Sequence, residues 1–223
     1  MSGNKHHMNT AASVYAQIRE QIVKGVYPSG SQLKQDKLAA ELGVSKIPVR
    51  EALVLLEADG FVETFPGRGA IVATLSAEEA EEIYLMRIAL EPVLLQRSAR
   101  QTPPIEWARA EGVLVALDST QLSFIEWYEL DREFHTLLYK NAQLPRMQKM
   151  VIALHGNLAR YYAVYQAFGA DFHRLGEKEH REILTACKAG NTEIACEMLV
   201  HHLKRSSQML IKALRSAHSI GED

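Results

Sequence analysis

Two short helical patterns meet at a three-residue corner in this chain, and few folds use such a corner. Residues 35–42 read as one helix, ended by Gly43. Ser45 then offers an N-cap to a second helix over 46–59. Pro48 falls in its first turn, where a missing N–H costs little. An earlier helix is expected over 11–24, with Val14, Ile18, Ile22 and Val23 at helical spacing and Gly25 and Pro28-Ser29-Gly30 behind it. After Gly60 the period changes. Residues 61–64 and 70–73 read as short strands about a Pro66-Gly67-Arg68-Gly69 turn. Helix, helix, helix, hairpin is the order of a winged helix-turn-helix.

Beyond Ser76 only helical patterns follow, over 77–100, 104–117, 122–141, 144–168, 171–189 and 192–217. Pro103-Pro104, Leu144-Pro145, Gly169 and Gly190-Asn191 separate them. Short connections between six helices imply an antiparallel bundle, a fold that builds sites between facing helices. The expected fold is therefore mostly α. A winged helix-turn-helix over 8–74 is followed by a short linker over 75–78 and an all-α domain over 79–219.

Charge neither suggests nor excludes a nucleic-acid partner. The net charge is −2, but residues 1–74 carry +1 and the remainder −3, and DNA needs only a local basic surface. No apolar run approaches the roughly 20 residues of a membrane span, so no membrane partner is expected. Residues 1–9 are polar, without the apolar stretch of a secretory leader, and His6 and His7 read as a frayed start. Cys187 and Cys196 form neither a zinc spacing nor a disulfide framework and read as buried small hydrophobes. A cytoplasmic location is the expectation.

A recognition helix contacts base edges with its N-terminal residues. Here those are Ser45 to Arg50, with Lys46 and Arg50 four apart on one face and Val49, Leu53, Leu55 and Leu56 expected on the buried side. Arg68, between two glycines at the hairpin tip, suits a minor groove or a phosphate. On spacing alone, a solvated basic face fits these residues as well.

In the second half, Asp131 and His135 lie at i and i+4, among Leu130, Phe134, Leu137 and Leu138. A carboxylate in such a band needs a partner. With His180 and His202 they make one oxygen and three imidazole nitrogens, a set suited to zinc, nickel, manganese or iron. The chain has nine histidines, however, so a surface Asp131 and a satisfied core His135 fit the spacing too. His201 and His202 point about 100° apart, so only one of them can face a site.

Residues 38–53, Leu-Ala-Ala-Glu-Leu-Gly-Val-Ser-Lys-Ile-Pro-Val-Arg-Glu-Ala-Leu, closely resemble the signature of GntR-family regulators. Gly60-Phe61-Val62 and Pro66-Gly67-Arg68-Gly69-Ala70 resemble that family's wing, so the likeness covers 11–73. The resemblance implies that Gln35, Asp36, Ser45, Lys46, Ile47, Arg50, Arg68 and Gly69 face double-stranded operator DNA. Lys46 stands where the family usually has Arg and offers a point charge in place of a planar fork. Asp36 repels phosphate unless it meets a base donor or a neighbouring cation.

The second half resembles the FCD effector domain of the FadR subfamily over 78–216. The likeness is carried by Asp131-Arg132-Glu133-Phe134-His135, by Glu179-His180-Arg181-Glu182-Ile183-Leu184, and by Ala189-Gly190-Asn191 leading to His202-Leu203. It implies metal ligands at Asp131, His135, His180 and His202. Aligning from Ala189-Gly190 selects His202 over His201. Arg87, in Met86-Arg87-Ile88-Ala89-Leu90-Glu91, is then placed to clamp a carboxylate beside the metal. Tyr84, Asn157 and Arg160 are further effector-binding candidates. The resemblance thus implies a homodimeric transcription regulator, a repressor like most of its relatives, with a divalent metal (zinc first) and a small organic acid as effector. Two alternatives stand beside it: a metal-dependent hydrolase, which lacks an evident general base, and an unregulated DNA binder with a purely structural metal.

Overall fold

The computed structural model describes residues 10–119 and 122–220, and the chain divides after Leu75 into two compact units. His6 and His7 lie outside the described residues.

The first unit holds α1 (Ala11–Val23), β1 (Gln32–Leu33), α2 (Gln35–Leu42), α3 (Lys46–Ala58), β2 (Val62–Phe65) and β3 (Gly69–Val72). Thr10 caps α1 by accepting from the Ser13 N–H. Val14, Ile18 and Ile22 of α1 are buried and meet α3, which buries Val49, Ala52, Leu53 and Leu56. Leu33, Leu38, Phe61 and Val72 complete this core. Each such burial stabilises the fold by roughly 1.5–3 kcal/mol. The corner between α2 and α3 depends on Gly43, whose φ of 64° is left-handed and whose N–H closes the helix onto the Ala39 and Ala40 carbonyls.

Three local expectations are corrected. Ser45 stands at the N-cap of α3, but its hydroxyl makes no capping bond. Leu55 is 46% exposed, because Leu56 takes the inward position beside it. The hairpin runs 62–65 and 69–72: the Phe61 N–H bonds back to the Leu56 carbonyl and ends α3, which delays the strand by one residue. β1 was not expected. It pairs antiparallel with β3, Gln32 opposite Ile71 and Leu33 opposite Ala70, giving the order β1-β3-β2.

The second unit holds α4 (Ala77–Ala99), α5 (Pro104–Leu117), α6 (Phe124–Tyr139), α7 (Pro145–Leu158), a 3-10 turn (Ala159–Tyr161), α8 (Tyr162–Ala167), α9 (Gly169–Lys188) and α10 (Thr192–Ile220). Ser76 caps α4, which begins at Ala77, so helix already occupies the second half of the expected 75–78 linker. Ser123 and Glu126 form a reciprocal capping box that opens α6. The single helix expected over 144–168 is broken at the 3-10 turn. There the Arg160 guanidinium pairs with Glu79, and the Tyr161 hydroxyl donates to Glu79 Oε2 at 3.0 Å or to the Ser76 carbonyl at 3.1 Å. The boundary expected at Gly169 is present: α8 ends at Ala167, and α9 begins at Gly169, two residues before the expected start.

Leu94, Leu95, Leu114, Leu117, Phe134, Leu138, Leu199 and Leu203 fill the bundle core. α4 packs against α6, α7 and α10. Its buried face also carries Arg87 and Glu91, 5% and 0% exposed, which an apolar core does not need. Among the described residues no helix is long and apolar enough to cross a membrane.

Candidate functional site

All eight residues expected to face DNA are exposed: Gln35, Asp36, Ser45, Lys46, Ile47, Arg50, Arg68 and Gly69. One surface groove brings Gln35 and Asp36 of α2 to Arg68 and Gly69 of the wing, flanked by Lys34 and Lys37. The Gln32 amide braces the wing by donating to the Arg68 carbonyl. Lys46 joins the groove residues through an ion pair with Asp36, Nζ to Oδ1 2.6 Å. Asp36 thus has the neighbouring cation that a carboxylate on a phosphate-facing surface requires.

The second unit holds a partly open cavity of about 40 Å³, several times the roughly 10–15 Å³ that one water needs. Asp131 and His135 of α6, His180 of α9 and His202 of α10 all line it. Donor nitrogens of the three histidines lie within 4.8 Å of one another. His180 Nε2 is 3.3 Å from His202 Nε2 and 3.5 Å from Asp131 Oδ1. Two imidazoles at roughly 2.0–2.1 Å from one tetrahedral ion sit about 3.3 Å apart, so this spacing fits a shared metal.

The outer contacts of the histidines support the same reading. Tyr139 has one hydroxyl proton, donated to Glu91 Oε2 at 2.5 Å. The 3.1 Å contact of the Tyr139 oxygen with His135 Nδ1 must then be donated by the ring. That fixes the tautomer and leaves His135 Nε2 with a bare lone pair. This buried nitrogen has no hydrogen-bond partner among the described residues. His202 Nδ1 lies 2.7 Å from Glu179 Oε2, and Arg205 holds Glu179 with bonds of 2.7–3.0 Å. A carboxylate behind an imidazole is the usual support for a metal-binding histidine.

Protonation favours the same chemistry. Burial, and then the neighbouring imidazoles and guanidinium groups, hold His135 and His180 well below the ordinary histidine value, so both are neutral near pH 7. Burial pushes Asp131 up to about 6, against the pull of His202 and Arg87.

Glu91, His135 and His155 form a second close group of donor atoms. It is already compensated by a cation. The Arg87 Nε donates to Glu91 Oε1 at 2.5 Å, and an Arg87 Nη lies 3.0 Å from His155 Nε2. Burial alone would raise Glu91, but Arg87 and then His155 hold it below the usual carboxylate range. This group reads as support for Arg87 and His135.

Arg87 and Tyr84 line the cavity, and the Tyr84 hydroxyl shares a 2.7 Å hydrogen bond with Tyr165. Asn157 and Arg160 do not line it. The Arg160 guanidinium is committed to Glu79 and the Asn157 carbonyl, so the effector role expected of these two residues is not carried forward. Spacing missed Glu91, Tyr139, His155 and Glu179. Tyr139 is four residues after His135, and Glu179 precedes His180, so a search for outer partners of the histidines finds both. His155 gives no such signal.

Residues 10–72 match the bacterial regulatory proteins of the gntR family, and residues 82–205 match the FCD domain. The chain belongs to the GntR family. An uncharacterised HTH-type transcriptional regulator from the TAR-I region of Agrobacterium vitis is 35% identical over 135 residues, covering 57% of this chain and 77% of that protein. The HTH-type transcriptional repressor RspR of Escherichia coli is 24% identical, covering 92% and 90%. The crystal structure of a GntR-type putative regulator from Rhodococcus superposes with a TM-score of 0.75 at 25% identity, covering 91% of this chain and 98% of that one. This GntR protein is a DNA-binding transcription regulator with an FCD domain, and its family points away from an enzyme.

Proposed function

We propose that this protein is a homodimeric, cytoplasmic repressor whose grip on operator DNA is set by a small organic acid bound in the FCD cavity. The observation that carries the sensing half is the convergence of four ligand-type side chains on one cavity that Arg87 also lines. Asp131, His135, His180 and His202 would hold a divalent metal, zinc first and nickel, manganese or iron as alternatives. Bound there, the metal supplies a Lewis-acidic centre that attracts a carboxylate. Arg87 orients that carboxylate with N–H donors beyond those used on Glu91 and His155. Tyr84 and Tyr165 close the apolar wall beside it.

The winged unit would grip the major groove with α3 and meet the backbone or minor groove with Arg68. Two copies on a near-palindromic operator match a two-fold dimer. An effector changes affinity only by favouring one arrangement of the two winged units over another. The lever is α4, which begins directly after the winged unit and carries Arg87 to the cavity three turns later.

Calorimetric titration of small carboxylates into metal-loaded and chelator-stripped protein tests the sensing site. Binding to the loaded form, weakened at least tenfold by stripping and by Arg87→Ala, is expected. Equal binding by all three would remove the metal and Arg87 from the proposal.

A further inference from the structure

The ion pair between Asp36 and Lys46 lies on the surface expected to read the operator, and nothing in the fold requires it. Both side chains are largely exposed, 75% and 67%, so the pair staples no core. Lys46 is the first residue of α3, and Asp36 the second of α2. Arg68, Lys34 and Lys37 share the groove with Asp36 and suit phosphate contact. An acid placed among them needs a different target.

We propose that Asp36 and Lys46 read one G·C base pair as a unit, Asp36 accepting from cytosine and Lys46 donating to guanine. The inference rests on the reading that this unit inserts α3 into a major groove. A carboxylate only accepts hydrogen bonds and an ammonium only donates them. The donors that base pairs expose in the major groove are cytosine N4 and adenine N6. In a G·C pair, guanine O6 and cytosine N4 are bonded to each other, so they lie roughly 2.9 Å apart. The Lys46 Nζ to Asp36 Oδ1 distance is 2.6 Å. A donor and an acceptor at this spacing match an acceptor and a donor at nearly the same spacing, one on each strand. The ion pair uses one ammonium proton and one lone pair of Oδ1, which leaves two further protons and the second lone pair of Oδ1 for the bases.

The neighbours of those edge atoms separate G·C from A·T. Beside guanine O6 stands N7, a second acceptor for Lys46; beside thymine O4 stands a methyl group that crowds it. Beside cytosine N4 stands a C–H; beside adenine N6 stands N7, whose lone pair repels a carboxylate. The pair therefore favours G·C with cytosine under Asp36.

Selection of full-length protein on random duplexes, followed by anisotropy titrations on single-position variants of the selected site, tests this. The wild type should select one fixed G·C pair in each half-site. Asp36→Ala should flatten that position alone, losing about five- to hundredfold of discrimination, while binding other duplexes more tightly. Lys46→Ala should flatten the same position and weaken binding overall. Asp36→Asn should shift the preference toward A·T, because an amide pairs adenine N6 and N7. If Asp36→Ala keeps the wild-type motif at every position, the acid merely neutralises Lys46 and the inference is overturned, with DNA recognition intact. A wild-type motif without a fixed G·C pair overturns it too. Failure of the wild type to select any sequence would instead strike the DNA-binding reading on which the inference rests.

Discussion

Tyr139→Phe removes one oxygen and nothing else. That oxygen joins two buried groups: it donates to Glu91 at 2.5 Å and accepts from His135 Nδ1 at 3.1 Å. Without it the nearest acceptor for the His135 Nδ1–H is Glu91 Oε2 at 3.7 Å, beyond hydrogen-bond reach, a loss of about 1–3 kcal/mol. The imidazole escapes part of this by moving its proton to Nε2, the nitrogen needed for the metal. Either response weakens metal binding, and loss of such an outer partner typically costs about 10- to 100-fold. The assay is competition with a chromogenic chelator, alongside a thermal melt of the stripped protein. Tyr84→Phe is the control: it breaks a buried hydroxyl pair in the same cavity but touches no ligand, and metal affinity should stay within about twofold. A Tyr139→Phe protein that folds and binds metal as tightly as wild type would refute the tautomer argument.

Stripping the metal should lower the melting temperature of the FCD unit, because a ligand bound only to the native state stabilises it. His180→Ala should abolish the chelator-sensitive part of that shift; an unchanged shift would remove His180 from the site. Phe61→Ala should destabilise the winged unit by roughly 3–5 kcal/mol, since Phe61 is fully buried where α3 ends, and denaturant unfolding reads the loss directly.

Much of the fold was legible because its signals are local. α2 ends at its Gly43 cap and α5 begins at Pro104, where those residues place them. What stayed hidden depends on packing. β1 is two residues long, too short for any alternation to show. The break after Leu158 follows from Arg160 and Tyr161 turning to Glu79, a contact 81 and 82 residues away in the chain. The site divides in the same way. Asp131 and His135 share a helix face, so their spacing shows in the chain, and resemblance added His180 and His202. His155 matters only for what it touches across helices, which no spacing encodes, whereas Glu91 stands four residues after Arg87 on α4 and Glu179 stands beside His180. Arg160 is turned to Glu79 by the same 3-10 break, and its Nε donates to the Asn157 carbonyl.

The most direct test is a titration of full-length, metal-loaded protein against a fluorescent duplex from its own upstream region, at two salt concentrations, with and without small carboxylates. The account predicts tight binding that weakens with salt and is released by at least one acid, with release lost in Arg87→Ala. Tight binding that no acid alters would contradict it and leave a DNA binder whose metal serves only the fold.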